Sequence, residues 1–262
     1  MTKEQIAQDI NVLARFCGIR DVNELTQAEL RRVYGFEQAD VFAFIGGSIL
    51  HGADLLAEAM RNQVAKMYML VGGAGHTTDT LRRRMEEVMP GFVADGLTEA
   101  ELFNAYLKHF YGLEADLLEA KSTNCGNNVT YMMELLEENG INCSSMIMMQ
   151  DSTMQRRMDA VFRKQQGEGI TLINYAPYEA EVIVRDGQLA YAQGFHGMWK
   201  LERYLTLLMG EISRLTDNED GYGPKGKGYL IHVDIPEEVQ SAFEELKNEY
   251  DGIVRKANPL YG

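Results

Sequence analysis

One repeated unit restricts the fold of this chain more than anything else in it: an apolar run of strand length, a cluster of Gly, Ser, Thr or Asn, then a stretch of helical period. A strand buried on both faces reads as a continuous apolar run, and a helix after each such strand is how parallel strands are joined. Val41-Phe42-Ala43-Phe44-Ile45 leads through Gly46-Gly47-Ser48 into a helix carrying Leu55, Leu56, Ala59 and Met60. Met67-Tyr68-Met69-Leu70-Val71 leads through Gly72-Gly73-Ala74-Gly75-His76-Thr77-Thr78 into a helix from Asp79 to Val88. Ser145-Met146-Ile147-Met148-Met149 leads through Gln150-Asp151-Ser152-Thr153 into a helix bearing Arg156, Arg157, Val161 and Phe162. Shorter strands are expected near Leu117 to Glu119 and at Ile170-Thr171-Leu172-Ile173, with helices near Glu99 to Phe110 and after Ser122 to Asn128. The expected class is α/β: a Rossmann-like, doubly wound, mainly parallel sheet of about five strands with a smaller helical subdomain.

Three regions follow from this rhythm: an N-terminal helical segment over 1–35, the α/β domain over 36–195, and a mainly helical part over 196–262 that packs on the cleft. Within them, Arg185-Asp186-Gly187 favours a hairpin turn between Glu181–Val184 and Gln188–Tyr191, the alternative being an irregular insertion. Trp199 to Leu215 has helical period, and Tyr229 to Val233 reads as one more strand. Pro236 followed by Glu237 and Glu238 opens a closing helix, because proline suits a first turn and acids suit the positive end of the helix dipole.

Charge narrows the partners. With 39 acidic against 25 basic residues, the net charge of −14 repels phosphate backbones and anionic headgroups. Neither nucleic acid nor membrane is expected as a partner. The opening residues are polar, and no apolar stretch nears the ~18 to 20 residues that cross a bilayer. Cys17, Cys125 and Cys143 are odd in number and lack C-x-x-C spacing, so neither a disulfide framework nor a metal site is predicted, and a reducing, cytoplasmic setting fits best. The 15 methionines fall largely in apolar runs and read as adaptable core filler.

In an open α/β sheet the carboxyl ends of the strands face a crevice, where loops bring helix N-termini to a ligand. Four polar loops fall at that edge. Gly46, Gly47 and Ser48, and Gly72, Gly73 and Gly75, remove Cβ atoms where a backbone approaches a ligand, or else simply make tight turns. Neither loop matches G-x-G-x-x-G, and the second lacks the Walker pattern. His76 is the best-placed group for proton transfer near neutral pH, with Thr77 beside it as ligand contact or cap. Ser122, Thr123, Asn124, Asn127 and Asn128 offer neutral donors and acceptors, alternatively an elaborate N-cap. Gln150 and Asp151 end the third unit; Arg156 and Arg157 start its helix, pointing about 100° apart, so at most one faces the crevice. Cys125 is a packing residue before it is a nucleophile. Glu99 is a capping acid or a general base, capping being simpler because Asp95 or Thr98 starts its helix. The expected ligand is a small polar or anionic molecule.

The chain resembles the YdcF-like proteins, a branch of the SanA/ElyC/YdcF family of α/β domains. The resemblance rests on Gly72-Gly73-Ala74-Gly75-His76, Ser122-Thr123-Asn124-Cys125-Gly126, Gln150 to Arg157, Trp199-Lys200-Leu201-Glu202-Arg203-Tyr204-Leu205, Asp220 to Gly226, and His232-Val233-Asp234. It implies a Rossmann-like sheet with a cleft against a smaller helical part, S-adenosylmethionine as the associated ligand, and Glu202, Arg203, Tyr222 and Lys225 on the second wall, unless these four only hold the two parts together. Where that family's Ser-x-Asn-Thr-x-Glu-Asn loop carries Thr and Glu, this chain has Cys125 and Asn127; Gln150-Asp151 and Met154 replace Thr-Ser and His, while Arg157 keeps the arginine. Ligand binding survives these departures better than acid–base catalysis does. Three readings stay open: a small-molecule-binding protein; a hydrolase or transferase for a phosphorylated or glycosylated small substrate, with His76, Glu99 and Arg157 moving protons and charge; and a non-enzymatic regulatory protein whose acidic surface meets a basic partner.

Overall fold

The computed structural model describes residues 1–75, 77–250 and 252. Helices α1 (Lys3–Cys17) and α2 (Gln27–Tyr34) precede the first unit, β1 (Ala39–Ile45) and α3 (His51–Arg61). Next come β2 (Ala65–Val71), α4 (Thr78–Val88), α5 (Glu99–Tyr111), β3 (Leu117–Glu119), α6 (Cys125–Glu138), β4 (Ser145–Met149), α7 (Gln155–Gln166) and β5 (Thr171–Asn174). The chain closes with β6 (Val182–Arg185), β7 (Gln188–Tyr191), α8 (Leu201–Leu215) and α9 (Glu237–Glu249).

Five strands form one all-parallel sheet in the order β3-β2-β1-β4-β5. The chain therefore steps outward from β1 through β2 to β3, then crosses back to the other side of β1 for β4 and β5. This is the doubly wound, Rossmann-like arrangement, and the reversal leaves a crevice beyond the carboxyl ends of β1 and β4.

Alternation along the strands divides the core in two. Val41, Ala43, Ile45, Met69, Met146 and Met148 meet Leu13 of α1, Met132 of α6, Phe162 of α7 and Leu208 of α8. Phe42, Phe44, Leu70, Ile147 and Met149 meet Leu56 of α3, Leu81 of α4 and Phe103 of α5 on the opposite face. The strand methionines are core filler, as their setting in the sequence implies. Residues 1–35 divide between the faces, α1 sharing a core with α8 and α9 while Leu30 of α2 lies on the other side.

Asp40 fastens the amino-terminal edge of the sheet. Its carboxylate accepts hydrogen bonds from Ser144 N (2.9 Å), Ser145 N (3.0 Å) and both serine hydroxyls, and it pairs with Lys66 Nζ at 2.7 Å. Burial alone would raise its pKa, but the Lys66 and serine donors outweigh that and hold the carboxyl far below its usual range. One side chain thus joins β1, β2 and β4.

The expected hairpin forms: β6 and β7 pair antiparallel, and Asp186 (φ 52°) and Gly187 (φ 70°) take the positive φ that a two-residue turn demands. The strand expected over Tyr229 to Val233 does not. Tyr229 N and Leu230 N donate to the Tyr222 carbonyl at 2.8 and 3.2 Å, and Ile231 N donates to that of Ala160 at 3.3 Å. The segment closes the glycine-rich loop onto α7 with Leu230 fully buried, so its apolar residues record burial rather than pairing. Among the described residues no helix is long and apolar enough to cross a membrane.

Leu208, fully buried, helps seat α8 against this core. Leu208→Ala should lower unfolding stability by about 2–5 kcal/mol, read as a fall in the urea midpoint with unchanged slope.

Candidate functional site

Loops from the carboxyl ends of β1, β2 and β4 and the start of α6 meet α8 around a cleft of about 560 Å³, within the range of small-molecule sites. Gly46 and Gly47, Gly72, Gly73 and Gly75, Ser122 to Asn124, and Gln150 and Asp151 line one side. Arg203, Leu207, Glu211 and Arg214 of α8, with Tyr222 and Tyr229 from the loop after it, line the other.

Glu99 lies at the floor. Thr98, not Glu99, caps α5: its hydroxyl accepts from Glu101 N at 3.3 Å while the Glu101 carboxylate accepts from Thr98 N at 2.8 Å, a capping box. Released from capping, Glu99 turns inward and is 8% exposed. Its Oε1 accepts from the hydroxyls of Thr78 (2.8 Å) and Thr77 (3.2 Å). Burial pushes its pKa up to about 7, a rise that the hydroxyls of Thr78 and Thr77 and the charge of Arg82 oppose only in part.

Two of the glycines seat this acid. A Cβ on Gly46 would collide with the Glu99 carboxylate and lie 2.9 Å from its Cβ, and one on Gly72 would lie 3.1 Å from that same atom. Gly72 also holds φ at 152°, which side chains disfavour. These two positions make room for the acid and also line the cleft. A Cβ on Gly73 would strike the Ser122 carbonyl, so this glycine lets two loops touch. Gly47 is open: an added Cβ would meet nothing nearer than Gln150 Oε1 at 3.8 Å.

The other acids in the cleft are fully occupied. Asp151 Oδ1 accepts from Thr153 N (3.0 Å), Thr153 Oγ1 (2.8 Å) and the Tyr178 hydroxyl (2.8 Å), and Oδ2 accepts from Trp199 Nε1 (3.1 Å). Trp199 in turn carries the guanidinium carbons of Arg84 and Arg203 at 5.0 and 5.7 Å from its ring centroid. Arg157 forks onto Glu211 through Nε and Nη2, and its Nη1 meets Cys125 Sγ at 2.8 Å. Arg214 adds a second cation to Glu211 at 3.3 Å. Burial by itself would lower the Arg157 pKa, yet Cys125 and Glu211 hold it well above its usual value. Arg157 is a clamp between α6, α7 and α8, with Nε and Nη2 on Glu211 and Nη1 on Cys125. Burial also raises the Cys125 thiol, with Arg157 opposing, which keeps that cysteine a packing residue.

Of the other expected residues, Arg156 points away: its Nε donates to the Phe16 carbonyl and its guanidinium sits over the Phe16 ring at 4.2 Å. The angular argument for two adjacent arginines therefore holds, with Arg157 inside and Arg156 outside. Ser48 is buried outside the lining, its carbonyl receiving Arg84. Glu202 and Lys225 are exposed and outside the lining, facing solvent at the helix start and in the glycine-rich loop. Asn124 caps α6 by accepting from Asn127 N at 2.9 Å, and Ser122 binds Glu119 (N to Oε1, 2.9 Å); both still border the cleft, as do Thr77, Thr123 and Asn128. His76 lies outside the described residues.

Sequence reasoning missed Trp199, Lys164, Thr206, Leu207, Glu211, Arg214 and Tyr229 as lining residues. A signal existed for α8: positions 203, 207, 211 and 214 share one stripe at helical spacing, beside the one that carries the buried Tyr204, Leu205, Leu208 and Ile212. No family model matches the chain.

Two predictions follow from Glu99 and its glycines. A folded pKa of about 7 against an ordinary 4.5 means its favourable contribution is complete below pH 4.5 and disappears as pH rises through 7. Glu99→Gln should therefore melt higher than wild type at pH 8, by up to ~3 kcal/mol, with the gap closing toward pH 5. Gly46→Ala should cost about 1–3 kcal/mol by overpacking, whereas Gly47→Ala should stay within about 0.5 kcal/mol, both read by denaturant melts.

Proposed function

We propose that this protein binds a small, charged, nucleoside-type molecule in the cleft, S-adenosylmethionine being the ligand that the resemblance to YdcF-like proteins supplies. The observation that carries the reading is convergence: loops after β1, β2 and β4, the cap of α6 and the inner stripe of α8 border one hollow of about 560 Å³. Toward the sheet edge are Glu99, Gly47 and neutral hydroxyl and amide groups; α7 and α8 contribute Val161 and Leu207 beside the charged Arg157, Arg203, Glu211 and Arg214, and the loop after α8 contributes Tyr222 and Tyr229, their rings 5.4 Å apart and edge-on. Aromatic surface beside charged and hydrogen-bonding groups suits a molecule that joins a flat ring to a polar, charged tail.

Binding is favoured over phosphoryl or glycosyl transfer by how two of the cations lining the cleft, Arg157 and Arg214, are engaged. Stabilising a transferred phosphoryl group takes donors aimed at charge that develops in the transition state. Arg157 and Arg214 are instead directed at Glu211.

Titration calorimetry and thermal shift with S-adenosylmethionine at near-physiological salt test the reading. The expected result is measurable heat and a raised melting temperature, about 2.7 kcal/mol of added stability at a hundredfold excess over Kd. Neither heat nor shift would remove S-adenosylmethionine from consideration.

A further inference from the structure

We propose that Glu99 is the seat for the positive centre of the bound molecule, a sulfonium or a protonated amine held in the cleft that Glu99 lines; the proposal rests on the reading of the cleft as a ligand site.

Three acids line the cleft, and only their partners distinguish them. Asp151 is saturated by four donors, and Glu211 by two guanidiniums. Glu99 has two neutral hydroxyls, both on Oε1; among the described residues no cation forms an ion pair with it. A carboxylate held away from water without a counter-charge is costly, and it draws a cation that enters its surroundings. Among the described residues no cationic group pairs with it directly. On the α4 side the charge acting on Glu99 is Arg82, whose Nε and Nη2 donate to the Leu97 carbonyl at 3.2 and 2.9 Å and whose Nη1 pairs with Asp79 at 2.9 Å. The loops after β1 and β2 present glycine backbone at Gly46 and Gly72. The loop after β4 presents Asp151, already hydrogen-bonded. Gly46 and Gly72 admit the acid to this position, where it lines the cleft.

The rise of the Glu99 pKa to about 7 agrees with a missing counter-charge, and a cationic ligand would reverse it, releasing protons on binding. The test uses calorimetry with S-adenosylmethionine, S-adenosylhomocysteine and methylthioadenosine, which carry a sulfonium plus amine, an amine alone, and neither. Wild-type affinity for S-adenosylmethionine should rise about eightfold from pH 6 to pH 7.5, with release of about half a proton at pH 7 read from two buffers of different ionisation enthalpy. His76→Asn, which removes the neighbouring imidazole in sequence, should leave that pH effect in place. Glu99→Gln should weaken S-adenosylmethionine by about tenfold or more and flatten the pH profile, with methylthioadenosine affinity unchanged as the folding control. Preference for S-adenosylmethionine over S-adenosylhomocysteine assigns the sulfonium; equal binding of these two, both above methylthioadenosine and both weakened by Glu99→Gln, assigns the amine rather than the carboxylate beside it. If all three bind alike, or Glu99→Gln binds as wild type, or affinity falls as pH rises, the seat is not Glu99 while the cleft remains a ligand site. Failure of all three to bind overturns both the seat and the reading beneath it.

Discussion

Parallel pairing of β1 with β2 on one side and β4 on the other is the constraint from which the cleft follows. Because both neighbours run the same way, their loops leave at one edge; because the chain reverses between them, α3 and α7 depart to opposite faces and a gap opens. Register in such a sheet is poorly specified by pattern, since strands apolar on both faces lose little hydrophobic contrast on slipping by one residue. The polar contacts of Asp40 with Ser144, Ser145 and Lys66 provide that specification at the opposite edge from the site. Alignment of Gly46, Gly72 and Asp151 at one edge therefore depends on a carboxylate at the other.

The sequence was most informative where burial and secondary structure coincide. Val41 to Ile45, Met67 to Val71 and Ser145 to Met149 are apolar because helices cover both faces, and their loops are polar because they end at a crevice, so strands and site loops were legible together. Tyr229 to Val233 shows where that inference stops: an apolar run records removal from water, and a loop folded on α7 removes Leu230 as completely as a strand would. Arg157 shows a second limit. Its helix position was readable, but its partner Glu211 lies in another element with no local signature, and the partner decides whether the guanidinium holds a ligand or holds the protein together.

The glycines show the third limit. A missing Cβ says that something approaches the backbone, without saying what. At Gly46 and Gly72 it is the side chain of Glu99, brought there by α5, and at Gly73 it is the backbone before α6. At Gly47, which reads identically in the sequence, a Cβ would meet only ordinary contacts, Gln150 Oε1 at 3.8 Å and Asp151 Cβ at 4.0 Å. Only the course of α5 after the capping box at Thr98 and Glu101 separates these cases, because that box frees Glu99 from the helix end and lets it turn toward the sheet.

That placement runs against the rest of the polar interior. Asp40, Glu119, Asp151 and Glu211 each gather donors sufficient to keep a carboxylate out of water. Glu99 has the depth of these groups without their partners, and two glycines are required to seat it. A position that weakens the fold near neutral pH and is still accommodated by the surrounding backbone is where local stability and the rest of the design disagree. Such disagreement concentrates where a group serves something other than the fold. Here it coincides with the floor of the cleft, which makes the least well-satisfied acid of this lining its strongest candidate for contact with a ligand.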